Sequence, residues 1–207
     1  MYDGIIFDID GTIWDATGTV EDAWNDAFSD LGYERRTTAD ELKTLFGLPM
    51  NEIFRSLIPG ATDEEISAFD KVCTKHEFEY LEKKGGAVYP GMKETIEKLS
   101  ENHTIAIVSN CQSGYIELVM RVTGIEQYIK DHLCPGDSGL LKADNIRIIA
   151  DRLHMMNPVY VGDIAKDEIA ARQAGCAFIH AAFGFGEGIN PDYTINSFSE
   201  LLDIPEI

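Results

Sequence analysis

The chain has few basic residues, no paired cysteines and no long apolar run. Lysine and arginine number 17 against 36 acidic residues, a net charge of −19, which argues against nucleic acid or an anionic membrane as a partner. The four cysteines form no Cys-x-x-Cys pair, which excludes zinc ribbons and thioredoxin-type sites. No apolar run reaches the roughly 18 residues of a membrane-spanning helix, and no signal peptide is recognisable. We therefore expect a cytoplasmic protein with reduced thiols.

The segment Gly4–Thr12 carries two carboxylates directly after a short apolar run. Residues 5–7 predict a buried strand, and Asp8 and Asp10 follow where that strand ends. Open α/β sheets bind ligands at the carboxyl ends of their strands, so the two acids can converge on one metal ion or one phosphorus atom. Gly11 lets the backbone turn and approach an anion closely. Taken alone, the same residues are also compatible with an acidic turn that closes a strand.

From about residue 17 to residue 85 the apolar residues recur at helical spacing. Capping boxes at 38–41 and 62–65, and glycine or proline breaks near 32, 47, 59 and 85, divide this stretch into four amphipathic helices. Four such helices can bury their apolar faces against one another. We predict an inserted helical cap domain at 17–86 and a core domain formed by 1–16 and 87–207.

After Tyr89 the pattern alternates between helices and short apolar strands. Strands are predicted at 104–108, 131–134, 158–161 and 177–180, with helices between them. This alternation is typical of a parallel sheet with helices on both faces. The predicted fold class is therefore α/β, a doubly wound, Rossmann-like parallel sheet with an inserted α-helical cap.

Polar residues follow two further strands of this predicted sheet. Ser109 and Asn110 come after one strand, Asp163 follows another, and Lys142 begins a helix between them. Each has an ordinary structural explanation as a helix cap, a turn residue or a surface lysine. Their combination at one edge of a parallel sheet favours a shared site.

This set of motifs resembles the haloacid dehalogenase-like superfamily over essentially the whole chain. The matching residues are Asp8-Ile9-Asp10-Gly11-Thr12, Ser109, Lys142, and Gly162-Asp163 with Asp167. The pattern is most similar to the phosphoglycolate phosphatase-like and β-phosphoglucomutase-like members. The pattern departs from the family at Lys142-Ala143, where Lys-Pro is frequent. Because Pro at a helix start only fixes the backbone angle φ, its absence should not affect the role of the lysine.

The resemblance implies a magnesium-dependent phosphatase that acts on a small phosphorylated metabolite through an aspartyl phosphate. It implies that Asp8 is the nucleophile and that Asp10 is the general acid and base. The implied magnesium ligands are Asp8, the Asp10 carbonyl oxygen and Asp163, with Asp167 as a further or indirect ligand. The implied groups for phosphate or substrate are Lys142, Gly11, Thr12, Ser109 and Asn110, with Arg55 from the cap; Arg55 is equally well explained as a surface ion pair.

Three other functions are alternatives to a phosphatase. A phosphomutase would use the same core residues, whereas a dehalogenase would not need Asp10. A non-catalytic phosphate-ligand-binding regulatory protein would have no need for the full charged set. Phosphoglycolate, a sugar phosphate, a nucleotide and pyrophosphate all stay open as substrates, and a monomer or weak homodimer is expected.

Overall fold

A computed structural model describes residues 1–207 and contains eight strands and nine α-helices. The strands are β1 (Gly4–Phe7), β2 (Trp14–Asp15), β3 (Ala87–Val88), β4 (Thr104–Val108), β5 (Asp131–Leu133), β6 (Pro158–Gly162), β7 (Ala177–Ala181) and β8 (Tyr193–Ile195). The α-helices are α1 (Thr17–Asp30), α2 (Ala39–Leu45), α3 (Met50–Leu57), α4 (Asp63–Lys84), α5 (Met92–Ser100), α6 (Tyr115–Thr123), α7 (Pro135–Ser138), α8 (Lys142–Arg152) and α9 (Ala165–Ala174). Two 3₁₀ helices cover Glu126–Tyr128 and Phe198–Asp203.

Six strands form one parallel sheet in the order β5-β4-β1-β6-β7-β8. The chain first builds outward from β1 through β4 to β5, and then continues on the other side with β6, β7 and β8. This change of direction makes the carboxyl ends of β4, β1 and β6 the topological switch point, where open α/β sheets bind ligands. The predicted α/β doubly wound fold is confirmed.

Both faces of the central strand are covered, which explains its continuous apolar run. Ile5 and Phe7 pack into one apolar cluster, which also contains side chains of α5 and α6. Ile6 belongs to a second cluster on the opposite face, built with side chains of α8 and α9. The period-two alternation of a strand therefore distributes three consecutive apolar residues over two layers.

Helices α1 to α4 pack against one another and carry the predicted apolar stripes. Helix α4 begins with the predicted capping box, in which Thr62 and Glu65 exchange side-chain-to-backbone hydrogen bonds. Strands β2 and β3, which sequence reasoning missed, pair antiparallel at the two points where the helical segment joins the sheet. The division into a core at 1–16 and 87–207 and a cap at 17–86 stays a prediction. No helix of the structure combines the length and apolar composition needed to cross a membrane.

Candidate active site

The carboxyl ends of three neighbouring strands bring the predicted residues together. Phe7 in β1 pairs with Ile107 in β4 on one side and with Val161 in β6 on the other. Asp8 therefore follows β1 at the level of Val108 and Gly162, the last residues of β4 and β6. Ser109 and Asp163 come directly after these two residues. Asp8, Ser109 and Asp163 are all buried.

Lys142 is the only cation in the centre of this cluster, and it is 5% exposed. Its Nζ donates to Asp8 Oδ1 at 2.9 Å and to Asp167 Oδ1 at 2.6 Å. Burial alone would lower the pKa of Lys142, but the two carboxylates more than offset this and raise it well above its usual value. The side chain is therefore a permanent ammonium that holds the Asp8 carboxylate in place.

Asp167 lies in the first turn of α9 and has both of its carboxylate oxygens engaged. Oδ1 accepts from Lys142, and Oδ2 accepts from the backbone N–H groups of Asp163 and Ile164 at 3.1 and 3.2 Å. The backbone at Gly162 passes so close that an added Cβ would lie 2.7 Å from Asp167 Cβ. These contacts give Asp167 a positioning function toward Lys142 and toward the loop that carries Asp163.

Asp163 is held from a second loop, because its Oδ2 accepts from the Phe185 N–H at 2.7 Å. Gly184 is part of this loop, and an added Cβ there would collide with Asp163 and with the Gly11 carbonyl oxygen. Gly11 itself has φ +85° and lies directly against the Asp163 carboxylate. Burial, together with the nearby Asp167 and Asp8, raises the pKa of Asp163 to about 9.

The donor set fits a hard divalent cation such as magnesium. One carboxylate oxygen from each of Asp8, Asp163 and Asp167 lies within 4.8 Å of the others. Burial and the neighbouring Asp167 raise the pKa of Asp8, and Lys142 offsets this only in part, so a further cation beside the three carboxyl groups would favour their ionised forms. Magnesium prefers oxygen ligands of this kind. Of the three acids, Asp8 and Asp163 keep an oxygen that no protein donor occupies.

Asp10 faces a pocket beside this centre, and its Oδ1 accepts from the Tyr115 hydroxyl at 2.8 Å. Asp10 is half-buried, and loss of contact with water raises the pKa of its carboxyl group well above the ordinary value. The hydrogen bond from Tyr115 opposes this shift without cancelling it. The shift favours the protonated form of the carboxyl group, which is the form that can donate a proton.

The other predicted residues differ in where the structure puts them. Thr12 is fully buried and its hydroxyl has no hydrogen-bond partner, so it is free to bind a ligand oxygen. The Gly11 N–H is already bonded to the Trp14 carbonyl oxygen, so Gly11 contributes space and not a donor. The Asn110 amide donates to the Gly47 carbonyl oxygen at 2.9 Å, which ties the core to the helical segment and directs this donor away from a phosphate.

Arg55 is not brought into the site. Its side chain is 51% exposed and forms an ion pair with Asp63 at the start of α4. Its helix neighbours Ile53 and Phe54 occupy the buried face of α3, and Arg55 lies on the other face. The expectation that Arg55 reaches the substrate from the cap is therefore not supported by its position.

Several residues of the site were missed from the sequence. Tyr160 donates to the Val108 carbonyl oxygen at 2.6 Å and lies 3.4 Å from Asp8 Oδ1; an aromatic hydroxyl inside a buried strand was the available signal. Glu77 and Gln112 meet across the joint between α4 and the core, 35 residues apart in the chain. No sequence pattern marks such a long-range pair.

The chain is similar in sequence to proteins of one known family. The family model of haloacid dehalogenase-like hydrolases matches residues 5–181. The phosphoglycolate phosphatase of Vibrio parahaemolyticus is 32% identical over 128 residues, which cover 56% of each chain. The phosphoglycolate phosphatase of Haemophilus influenzae is 30% identical over 132 residues, covering 56% of this chain and 57% of the relative. The chain thus spans about half the length of the curated relatives it matches.

Solved structures share the fold over almost the whole chain. A predicted phosphoglycolate phosphatase from Haemophilus somnus superposes with a TM-score of 0.87 at 20% identity, covering 98% of this chain and 97% of the other. CbbY from Rhodobacter sphaeroides, in a complex with xylulose-(1,5)bisphosphate, gives a TM-score of 0.84 at 20% identity, covering 97% and 96%. At this level of identity the similarity establishes the fold.

Proposed function

The chain belongs to the family of haloacid dehalogenase-like hydrolases, and on that basis we propose that it is a magnesium-dependent phosphatase of a small phosphorylated metabolite. The observation that carries the proposal is the cluster of the Asp8, Asp163 and Asp167 carboxyl groups, in which Lys142 binds Asp8 and Asp167. Asp10 lies beside this cluster. Phosphoryl transfer requires positioning and charge neutralisation more than complex covalent chemistry, and these are the properties of the cluster.

In the first step, Asp8 attacks the phosphorus atom through the carboxylate oxygen that Lys142 leaves free. The bond from phosphorus to the ester oxygen breaks, and Asp10 gives its proton to that oxygen, so that a neutral alcohol leaves. The raised pKa of Asp10 supports this assignment, because a general acid has to be protonated at the working pH.

In the second step, water attacks the phosphorus atom of the aspartyl phosphate. Asp10, now a carboxylate, accepts a proton from that water, and the phosphorus–oxygen bond to Asp8 breaks. Inorganic phosphate leaves and Asp8 returns as a carboxylate. Tyr115 supports both steps, since its hydrogen bond keeps Asp10 in one orientation while the proton is lost and regained.

Magnesium, held by Asp8, Asp163 and the Asp10 carbonyl oxygen, would cancel the repulsion between the Asp8 carboxylate and an anionic phosphoryl group. Asp167 would act through Lys142 and through the loop that carries Asp163. Lys142, Ser109 and the free Thr12 hydroxyl would bind the phosphoryl oxygens.

The helical segment would act as a lid over this centre. It is joined to the sheet by the short ribbon of β2 and β3, and two short connections of this kind are suited to a hinge. The hydrogen bond from Asn110 to Gly47 and the one from Gln112 to Glu77 cross the joint and would have to open when substrate enters.

The proposal is tested by hydrolysis of p-nitrophenyl phosphate with magnesium. Asp8→Asn keeps the shape of the side chain but removes the nucleophilic charge, so a loss of at least a thousandfold in kcat is expected with an unchanged circular dichroism spectrum. Asp203→Asn changes the same charge at an exposed position and serves as the matched control. A folded Asp8→Asn protein of near-normal activity would contradict the assignment.

A phosphomutase would use the same core residues and return the phosphoryl group to an organic acceptor. Identifying the reaction product distinguishes the two functions. Stoichiometric release of inorganic phosphate supports the phosphatase, whereas isomerised phosphorylated product without phosphate release would replace it by the mutase.

A further inference from the structure

A pocket beside Asp10 contains no basic group. It lies between the carboxyl end of β1 and the side chains of α1, α3 and α4. Its polar lining comes from Asp10, Glu77, Asn110, Gln112 and Tyr115, and its other lining residues are apolar residues, a glycine and a cysteine. Because Asp10 is the proposed proton donor to the departing oxygen, this pocket is where the departing alcohol would lie.

Glu77 is the only charged residue that the helical segment contributes to this pocket, and it is 4% exposed. Its Oε2 accepts from the Trp24 indole N–H at 2.9 Å, and its Oε1 accepts from the Gln112 amide at 2.9 Å. Each carboxylate oxygen can accept a second hydrogen bond. A buried carboxylate is costly unless it is fully bonded, so its remaining acceptor positions favour a ligand that brings donors.

Building on the proposed function, we infer that the alcohol part of the substrate carries no negative charge and presents hydroxyl or ammonium donors to Glu77 and Gln112. The Gln112 side-chain carbonyl oxygen, which is not engaged in the hydrogen bond to Glu77, is a further acceptor among the lining residues. The substrate class is thus the phosphomonoester of a small polyol or amino alcohol.

An anionic alcohol part would be disfavoured at this position. A carboxylate in the pocket would face Glu77, and no lysine, arginine or histidine of the lining would compensate for it. Lys142 cannot do so, since it is bound to Asp8 and Asp167 at the phosphoryl end. Phosphoglycolate, the compound in the names of the curated relatives, has a carboxylate at this position. The pocket would therefore disfavour the compound for which those relatives are named.

The pocket also limits the size of the alcohol. In this arrangement the cavity measures about 20 Å³, which is room for about one water molecule. A larger group would need the helical segment to move away, so the volume favours a small alcohol.

Three substrates of similar length test the inference. These are 2-phosphoglycolate with a carboxylate, 2-hydroxyethyl phosphate with a hydroxyl group, and O-phosphoethanolamine with an ammonium group. Phosphate release is measured with magnesium at pH 8, where Glu77 is mostly ionised because burial raises its pKa only to about 7. The hydroxyl and ammonium substrates are expected to have kcat/KM values at least tenfold above that of phosphoglycolate.

Glu77→Gln removes the charge and keeps the shape of the side chain. It should reduce the preference for the hydroxyl and ammonium substrates at least fivefold, mainly by raising kcat/KM for phosphoglycolate. Glu79→Gln is the matched control, because it lies on the same helix, is exposed and should leave the preference unchanged. A wild-type preference for phosphoglycolate, or a preference that Glu77→Gln does not alter, overturns the inference. Magnesium-dependent phosphate release from at least one of the three substrates shows that the proposed function itself still holds, and its absence with all three shows that both fail.

Discussion

Replacing Glu77 by glutamine is expected to stabilise the folded chain, and to do so more strongly as the pH rises. Glu77 has a raised pKa because it is buried, and hydrogen bonds from Gln112 and Trp24 only partly oppose that effect. Glutamine has nearly the same shape, and its side-chain oxygen can still accept from Trp24. Its amide can donate to Gln112 once the Gln112 amide turns over, so no buried group has to lose its partner.

The magnitude follows from the shift in pKa. A rise from 4.5 to about 7 corresponds to about 3 kcal/mol of unfavourable interaction for the charged form, at 1.36 kcal/mol for each pKa unit. A carboxyl whose pKa is raised by folding stabilises the fold below its unfolded pKa of 4.5. That contribution is lost as the pH rises through the folded value of about 7. Wild type and Glu77→Gln should therefore differ by about 1 kcal/mol or less at pH 5, and by about 3 kcal/mol at pH 8.

Thermal unfolding followed by circular dichroism at pH 5, 6, 7 and 8 measures the effect. For a chain of this size, 1 kcal/mol shifts Tm by about 2 to 4 °C, so the variant should gain about 5 to 10 °C relative to wild type between pH 5 and pH 8. The difference between the two proteins removes the contribution of the titrating groups that do not interact with Glu77. The groups that face Glu77 are Asp10, Asp70, Cys73 and Tyr115, and they are present in both proteins.

Glu79→Gln again provides the control, because an exposed carboxylate should show no such trend. If the difference in Tm between wild type and Glu77→Gln were the same at pH 5 and pH 8, the reasoning from burial would be refuted. Destabilisation of Glu77→Gln at every pH would show instead that the carboxylate is required for the packing of α4 on the core.

Three further predictions concern the centre of the site and its supports. Magnesium at one hundred times its Kd should add about 2.7 kcal/mol to the free energy of unfolding. The resulting rise in Tm should disappear with EDTA and in the Asp163→Asn variant. An unchanged Tm of the wild-type protein would argue against the metal site. Tyr160→Phe leaves the buried Val108 carbonyl oxygen without its 2.6 Å donor and should cost about 1 to 3 kcal/mol in urea unfolding, whereas no measurable cost would mean that another donor replaces the hydroxyl. Gly184→Ala places a Cβ against Asp163 and should reduce kcat at least tenfold. Gly18→Ala is the control and should leave kcat unchanged, because an added Cβ there has no neighbour within 4 Å. Equal kcat values for the two variants would contradict the close approach of Gly184 to Asp163.

The local pattern of the chain was sufficient to predict most helices and strands. Helix α4 (Asp63–Lys84) is capped by Thr62 and Gly85 as its capping box and glycine indicate, because caps act within one turn of the backbone. The buried strand β1 and the carboxylates after it were also readable, since an apolar run followed by Asp-x-Asp is a local signal. Strand β8 and the two-residue strands β2 and β3 were missed, because very short strands depend on their partners for stability.

The tertiary structure decided which of the candidate residues meet. Order along the chain grouped Asp8, Ser109, Lys142 and Asp163 at one edge of a parallel sheet, because parallel strands with crossover helices all point the same way. It did not show that Asp167 holds Lys142, that Asn110 turns to Gly47, or that Arg55 points to solvent, since each depends on the rotation of a side chain about its own element.

The sequence by itself therefore determined the fold class, the order of the elements and the acidic residues at the strand ends, since these depend on periodicity, caps and chain direction. The pocket that receives the substrate was determined only by the packing of the helical segment on the core. Glu77 and Gln112 lie 35 residues apart and come within 2.9 Å of each other only after α4 has packed on the core. Long-range contacts of this kind follow from the relative placement of whole elements, which no local pattern encodes.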